Sequence, residues 1–189
     1  MALKLVGADL RQEWVERGHS VCQSRKMPVR PFRSSDAGSL AKIFFAAIHE
    51  IARHHYSEAQ VNAWAPVVPV PQRLVERGND GRVLLVAVDD SDEPIAYGDL
   101  EPDGHIDHLY CRPDAAGTGV TSVLYDHIEA AAADRGLTHL YVEASEPARR
   151  FFLKKGFAVV ERRNFELAGV PIHNFAMEKH IGRAAHRRA

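Results

Sequence analysis

Cysteine is scarce in this chain, and neither sign of charge dominates it. The 189 residues include two cysteines, Cys22 and Cys111, whose separation fits neither a metal-binding motif nor a secreted disulfide framework. A disulfide scaffold is therefore excluded, and a reducing compartment is expected. Lys and Arg total 24 against 25 Asp and Glu, so the net charge of −1 predicts no nucleic-acid partner and no attraction to anionic membranes.

Long apolar runs are also missing. No run approaches the ~20 residues needed to cross a bilayer, and Asp9, Glu13 and Glu16 interrupt the region where a signal peptide would carry its apolar segment. We therefore expect a cytoplasmic protein without a membrane partner. A composition of 46% apolar and 26% charged residues is typical of a folded chain.

The length favours one domain with short extensions. Residues 1–26 are polar and charge-rich without a clear apolar face, and we interpret them as an N-terminal extension. Residues 27–182 are predicted to form the domain. Residues 183–189 are a short basic tail, interpreted as a frayed end rather than a nucleic-acid patch.

Hydrophobic periodicity predicts a mixed α/β or α+β order. The apolar run at 83–88 is typical of a strand, and turn-forming residues at 89–93 and 102–104 predict hairpins that connect it to two further strands. The predicted elements are a strand at 29–32, helices at 36–52, 57–64 and 72–77, strands at 83–88, 95–100 and 106–111, a helix from Val120 that ends at Gly136, a strand at 140–142, a helix at 146–155, and strands at 157–167 and 172–177.

The stretch Gly117-Thr118-Gly119 joins a predicted strand to a predicted helix. Free backbone amides at a helix N-terminus, with glycines that permit close approach, form an anion site that suits a phosphate. Ser122 stands where a dinucleotide fingerprint has its third glycine, and no Lys-Ser/Thr pair follows, so neither of those nucleotide motifs is present. For this stretch taken alone, the alternative is that the glycines serve only to form the turn and bind no ligand.

Two motifs together resemble the GCN5-related N-acetyltransferases, the GNAT superfamily. The first is the strand 109–113 followed by Gly117-Thr118-Gly119-Val120, and the second is the stretch 143–157, with its Ala-x-x-Phe-Phe-x-x-x-Gly-Phe pattern. The resemblance covers roughly residues 28–180. It implies a mixed, mostly antiparallel twisted sheet of six to seven strands flanked by about four helices, with a V-shaped opening between strands at 105–111 and 138–144.

The resemblance also implies acetyl-CoA as the acetyl donor. Its pyrophosphate would meet the amides of 117–122, and its pantetheine would pair against 109–111 like a strand. Ala116, Thr121 and Ser145 depart from the family pattern. The residues predicted to bind the cofactor are Leu109, Tyr110, Cys111, Gly117, Thr118, Gly119, Val120, Thr121, Ser122, Ser145, Ala148 and Phe152.

Acetyl transfer to an amine needs a base for the ammonium proton and a proton source for the leaving thiolate. Strand alternation places His105 and Asp107 on one face, and relatives carry a Glu or His base at these positions, so we predict them as catalytic residues. The alternative is that His105 only starts an exposed strand edge and Asp107 only caps a turn. The acid is unassigned, because Phe152 stands where the family commonly has a tyrosine; Tyr110, Tyr141 and Tyr56 are the candidates.

The acceptor pocket implied by the resemblance is built by the region after the first strand, where Tyr56 and Trp64 are predicted to line it. No metal is expected: His49 and His54 are five residues apart, which separates them by about 140° around a helix. No Gly-x-Ser-x-Gly elbow of a serine hydrolase occurs. Cys111 fits a small core residue better than an acyl-carrying nucleophile.

We therefore predict an N-acetyltransferase that transfers acetyl directly from acetyl-CoA to a primary amine in a ternary complex. A non-catalytic CoA-binding or sensory module is the first alternative, because Ala116, Thr121 and Phe152 depart from the family pattern. A protein-interaction domain that keeps only the fold is the second. The acceptor, a small molecule or a peptide, is left open, as is a homodimer.

Overall fold

The computed structural model describes residues 27–182, so the predicted N-terminal extension (1–26) and basic tail (183–189) lie outside the described residues. Within this range no helix is both long and apolar enough to cross a membrane. The chain runs through β1 (Val29–Pro31), α1 (Ala37–Ala46), α2 (Glu58–Trp64), α3 (Pro71–Gly78), β2 (Val83–Val88), β3 (Pro94–Leu100), β4 (Leu109–Cys111), α4 (Val120–Asp134), β5 (His139–Ala144), α5 (Glu146–Lys154), β6 (Ala158–Leu167) and β7 (Val170–His180).

The strands form two antiparallel sheets, one with the order β1-β2-β3-β4 and the other with the order β5-β7-β6. A single parallel bridge between His105 and Tyr141 connects them within residues 27–182. The expected GNAT-like fold is confirmed, with seven strands and, in the described range, five α-helices instead of about four.

Both faces of the first sheet are covered, because helices pack on each side. Leu124 and Ile128 of α4 belong to the core on one side, and Leu40 of α1 and Leu74 of α3 belong to the core on the other. Strand β3 is consequently buried at every position. Gly98 in β3 permits the close approach, since an added Cβ would lie 2.8 Å from Ile128 Cδ1.

Helix α2 is held at its start by a capping box. The Ser57 hydroxyl accepts from the Gln60 amide at 3.3 Å, and the Gln60 side chain accepts from the Ser57 amide at 2.9 Å. Gln60 also donates to the Pro171 carbonyl at 2.7 Å, which ties α2 to β7. These contacts fix the position of Trp64 at the end of the helix.

The third strand of the predicted meander is shorter than expected, since β4 begins at Leu109 and not at 106. The amide of Ile106 donates to Tyr141 of β5 at 2.9 Å, while Leu109 pairs with Gly98 of β3. The chain thus changes partner sheets within three residues. The alternation argument that placed His105 and Asp107 on one strand face does not apply, because neither residue lies in β4.

Candidate active site

The turn before α4 has the backbone shape expected of an anion site. Gly117 and Gly119 have φ of 78° and 93°, in the left-handed region that favours glycine, and Gly119 is the N-cap of the helix. An added Cβ at either glycine would meet nothing within 4 Å. The amides of Ser122 and Val123 both donate to the Gly119 carbonyl, at 2.9 Å and 3.1 Å. The amides of Val120 and Thr121 come before the first intrahelical bond, so they are available to an anion.

A cavity of about 420 Å³, the first cavity, lies between this turn, β4 and the start of α5. Apolar side chains at 47–52, after α1, add to its wall, and Lys154 contributes a positive charge. The structure brings most of the predicted cofactor residues together here. Those lining the first cavity are Leu109, Tyr110, Cys111, Gly117, Gly119, Thr121, Ser122, Ser145 and Ala148.

The other predicted cofactor residues lie outside the first cavity. The Thr118 hydroxyl donates to the Ala115 carbonyl at 2.7 Å and stabilises the turn. Val120 is buried in the core beneath the turn. Phe152 is also buried in that core and reaches only the cleft described next.

A narrow cleft of about 50 Å³ separates β4 from β5, in the place where the strands were predicted to diverge. It forms because β4 pairs with β3 and β5 pairs with β7, so the edges of β4 and β5 that face each other are not hydrogen-bonded as strands in the described chain. Asp107, Tyr110 and Glu143 place polar groups along it.

His105 lies beside the cleft and is connected to it through Glu143. Its Nε2 lies 2.6 Å from Glu143 Oε2, and its Nδ1 lies 3.5 Å from Glu101 Oε2. The ring stacks on Tyr141 with centroids 4.7 Å apart. Arg163 pairs with the second Glu143 oxygen at 3.0 Å. His105 lines neither the first cavity nor the cleft.

Asp107 lines the cleft, and its carboxylate is paired with Arg77. Arg77 donates to Asp107 Oδ2 at 2.5 Å and 2.7 Å, and to Asp99 Oδ2 at 2.7 Å. Asp107 and His105 therefore belong to different ion-pair groups, although Arg82 contacts both Asp99 and Glu101 and links the groups.

Asp99 is the buried centre of this network and was not predicted. It is fully buried in β3, and its Oδ1 accepts from the amides of Asp107 at 3.1 Å and His108 at 2.8 Å. Its other oxygen accepts from Arg77 and Arg82. For the amides of Asp107 and His108, these side-chain bonds take the place of the backbone hydrogen bonds that a strand partner would provide. A lone carboxylate inside an otherwise apolar strand was the sequence signal for such a role.

A second cavity of about 340 Å³ shares Trp64 with the first as a lining residue. Its wall is mostly apolar and aromatic, with two arginines, a histidine and a tyrosine as the polar contributors. The lining residues are Phe44, Trp64, Ala65, Pro66, Val67, Pro69, Arg73, Leu74, Arg77, Tyr97 and His108. Sequence reasoning did not identify this set, because its members come from α1, α2, α3, β3 and two separate loops.

His108 carries no charge in the second cavity at neutral pH. Burial, together with the nearby charge of Arg77, lowers the pKa of His108 to about 4. Its Nδ1 lies 3.0 Å from the Tyr97 hydroxyl, and burial raises the pKa of Tyr97 well above its ordinary value. Phe44 stacks on the His108 ring with centroids 5.5 Å apart. The positive charge of the cavity therefore comes from its arginines.

The structure separates the two residues predicted to line the acceptor pocket. Trp64 lines both cavities and the cleft. Tyr56 is 5% exposed and lines none of them, because it packs edge-on behind Trp64. Its hydroxyl donates to the His173 carbonyl at 3.1 Å and accepts from the Glu146 amide at 2.9 Å, so it serves to join α5 and β7.

The other two tyrosines considered as acids differ in access. Tyr110 lines both the first cavity and the cleft, and burial raises the pKa of its hydroxyl. Tyr141 donates to Asp103 at 2.6 Å, which raises the pKa of Tyr141 to about 12, and it lines neither cavity nor the cleft. Tyr110 is thus the candidate with access to the site.

Known proteins resemble this chain over most of its length. Residues 52–179 match the family described as the acetyltransferase (GNAT) domain. The uncharacterized N-acetyltransferase YafP of Escherichia coli K12 is 28% identical over 149 residues, covering 79% of this chain and 93% of YafP. The peptidyl-lysine N-acetyltransferase YjaB of Salmonella typhimurium LT2 is 36% identical over 88 residues, covering 47% of this chain and 59% of YjaB.

A GCN5-related N-acetyltransferase from Rhodopseudomonas palustris, described as "Aminotransferase, Class-II" and solved by crystallography, is 34% identical to this chain. It has a TM-score of 0.75 and covers 87% of this chain and 100% of its own. The family match spans more than half of the chain, and the element order, the two motifs and the divergence of β4 from β5 agree with it. The resemblance inferred from the two sequence motifs is therefore confirmed: the chain belongs to the GNAT superfamily and is an N-acetyltransferase.

Proposed function

We propose that the protein transfers an acetyl group from acetyl-CoA to a primary amine by direct attack of the amine in a ternary complex. The observation that carries the proposal is that the first cavity joins three features that this donor requires. These are the amides at the start of α4, the unpaired edge of β4, and the adjoining cleft.

The residues of the first cavity suit each part of the donor. The amides of 119–121 and the charge of Lys154 complement a pyrophosphate. The free edge of β4 can hydrogen-bond an extended amide chain, as strands do with added strands. Ala116 and Ser145 do not provide the side-chain contacts that relatives make with the donor at these positions. Backbone groups therefore bind the donor here. When bound, acetyl-CoA supplies an activated acetyl thioester.

The second cavity is proposed as the acceptor site, because Trp64 forms a wall of both cavities and of the cleft. An amine held in the second cavity reaches the first by passing this side chain. In the reaction the new C–N bond forms as the C–S bond breaks. The ammonium group loses protons to a base and to water, and the departing sulfur gains one.

Asp107 and His105 are proposed as the proton acceptors. Asp107 lines the cleft directly, and His105 reaches it through the 2.6 Å contact with Glu143, which lines it. Glu143 was not predicted as a functional residue, although its place in a strand between buried Val142 and Ala144 distinguished it. For the departing sulfur, the Tyr110 hydroxyl is proposed as the donor, because this residue lines both the first cavity and the cleft.

Thiol release tests the proposed function. The purified protein should bind acetyl-CoA in calorimetry and release free CoA thiol only when an accepted amine is added. Initial-rate lines at several amine concentrations should intersect, as a ternary complex requires. Binding without thiol release across a broad amine panel would favour the non-catalytic CoA-binding module, and absence of binding would reject both.

Cys111 should be dispensable for the reaction. Burial raises the pKa of the Cys111 thiol, so the reactive thiolate is disfavoured even though the residue lines the first cavity. We expect Cys111→Ala to keep kcat within about threefold of the parent, because one small, weakly polar side chain replaces another at a half-buried position. Loss of nearly all activity, with an acetylated Cys111 detected in the parent by mass spectrometry, would contradict direct transfer.

A further inference from the structure

The charge in the second cavity is unbalanced at one position. Arg77 is paired with Asp99 at 2.7 Å and with Asp107 at 2.5 Å, so its charge is already matched within the protein. Arg73, one turn earlier on α3, also lines the cavity and has no carboxylate within 4.0 Å among residues 27–182. No aspartate or glutamate lines this cavity, and His108 is neutral at pH 7.

The remaining walls select for size and for apolar character. A volume of about 340 Å³ is at the lower end of the range of roughly 300–1,000 Å³ that holds small ligands. Phe44, Trp64, Leu74 and the proline-rich loop at 65–70 supply apolar surface. Val67 of that loop is 69% exposed at the rim, so an apolar acceptor would cover surface that water now contacts.

We propose that the acceptor is a small amine that also carries a carboxylate and an apolar side chain, as a free hydrophobic amino acid does. The inference rests on the proposed function and adds the acceptor class. Arg73 binds the carboxylate, the aromatic wall contacts the side chain, and the amine points past Trp64 toward the cleft. The products are the N-acetyl amino acid and CoA thiol.

Charge favours this class over purely cationic amines. A guanidinium group binds a carboxylate through two parallel hydrogen bonds, a geometry that a neutral amide cannot match. A polyamine would instead place a second positive charge beside Arg73, with no acid in the lining to offset it. A lysine side chain on a protein would bring no carboxylate of its own into the cavity.

The test compares each amino acid with its own amide. Thiol release is measured with L-leucine, L-methionine and L-phenylalanine, with the three corresponding amides, and with cadaverine and a lysine-containing peptide. In the parent, kcat/KM should be about 10–100-fold higher for at least one acid than for its amide, because a charge-assisted pair is lost in the amide. In Arg73→Gln, the ratio of kcat/KM for the acid to kcat/KM for its amide should fall close to the ratio expected from the intrinsic reactivity of the two amino groups. The change should come from a rise in KM for the acid alone.

Arg53→Gln is the matched control, because Arg53 is exposed and lines neither cavity nor the cleft. Arg53→Gln should keep the parent's preference for the acids over the amides. The parent, Arg73→Gln and Arg53→Gln should all bind acetyl-CoA with the same Kd. Equal rates for acids and amides in the parent would overturn the inference, as would an equal loss for both in Arg73→Gln. If cadaverine or the peptide is acetylated and no acid is, the inference fails while the proposed function stands. If no acetyl-CoA binds, the proposed function itself fails.

Discussion

Gly119→Glu should abolish measurable acetyl-CoA binding, with Kd raised at least about 100-fold. Gly119 is the N-cap of α4 and lines the first cavity, where an added side chain meets open space and not the protein core. The carboxylate would therefore stand beside the amides that are proposed to meet the pyrophosphate, and would both repel it and compete for its hydrogen bonds. Isothermal titration calorimetry with acetyl-CoA measures the change.

The control for Gly119→Glu separates charge from backbone strain. A non-glycine residue in the left-handed region costs about 1–2 kcal/mol in folding wherever it occurs. Gly169 has a comparable φ of 78° and nothing within 4 Å of an added Cβ, but it lies in the β6–β7 turn, away from both cavities. Gly169→Glu should bind acetyl-CoA like the parent. Unchanged affinity in a folded Gly119→Glu protein would show that the turn is not the phosphate site.

Replacing the proposed base should lower kcat/KM by about 10²–10⁴-fold, the usual contribution of a positioned general base. Asp107→Asn removes the carboxylate that lines the cleft, and His105→Asn removes the ring that contacts Glu143. The ascending limb of the pH–rate profile should flatten or move in whichever variant has lost the base. Acetyl-CoA affinity should be almost unchanged, because neither side chain lines the first cavity.

Both residues also make ion pairs, so matched variants are needed to separate chemistry from structure. Asp126 pairs with Lys155 at 2.5 Å and His139 lies 3.2 Å from Glu178, and neither lines a cavity or the cleft that forms the proposed site. Asp126→Asn and His139→Asn should keep parent-like rates and the parent pH profile. If Asp107→Asn and His105→Asn also keep them, the base assignment is wrong. Because Arg82 links the two ion-pair groups, the effects of the two replacements need not add.

The boundary between β4 and the preceding segment illustrates where local pattern stops being informative. Alternation extended the strand to 106, whereas the structure starts it at Leu109, because the Asp99 side chain holds the amides of Asp107 and His108. A strand pattern describes one chain segment, and it contains no information about a side chain on a neighbouring strand that replaces ladder hydrogen bonds. Through the same contact Asp99 holds Asp107, which lines the cleft.

Trp64 and Tyr56 illustrate the same limit for the acceptor region. Both are aromatic, both lie in the segment after α1, and the sequence offered no way to separate them. The structure buries Tyr56 through hydroxyl contacts to residues 90 and 117 positions away, and leaves Trp64 on the walls of both cavities. Burial of an aromatic side chain depends on what packs over it, and here the cover comes from α5 and β7.

Local sequence was enough to predict the element order, the superfamily and a glycine turn of the shape that suits an anion, because each depends on residues close together in the chain. Glycines at 117 and 119 permit the left-handed backbone there, and the helix that follows supplies its amides. The opening of the cleft, the Asp99 network and the composition of the second cavity became visible only in the folded chain. Those features arise where segments distant in sequence meet, since a chain that pairs first with one sheet and then with another opens a gap that no local pattern encodes.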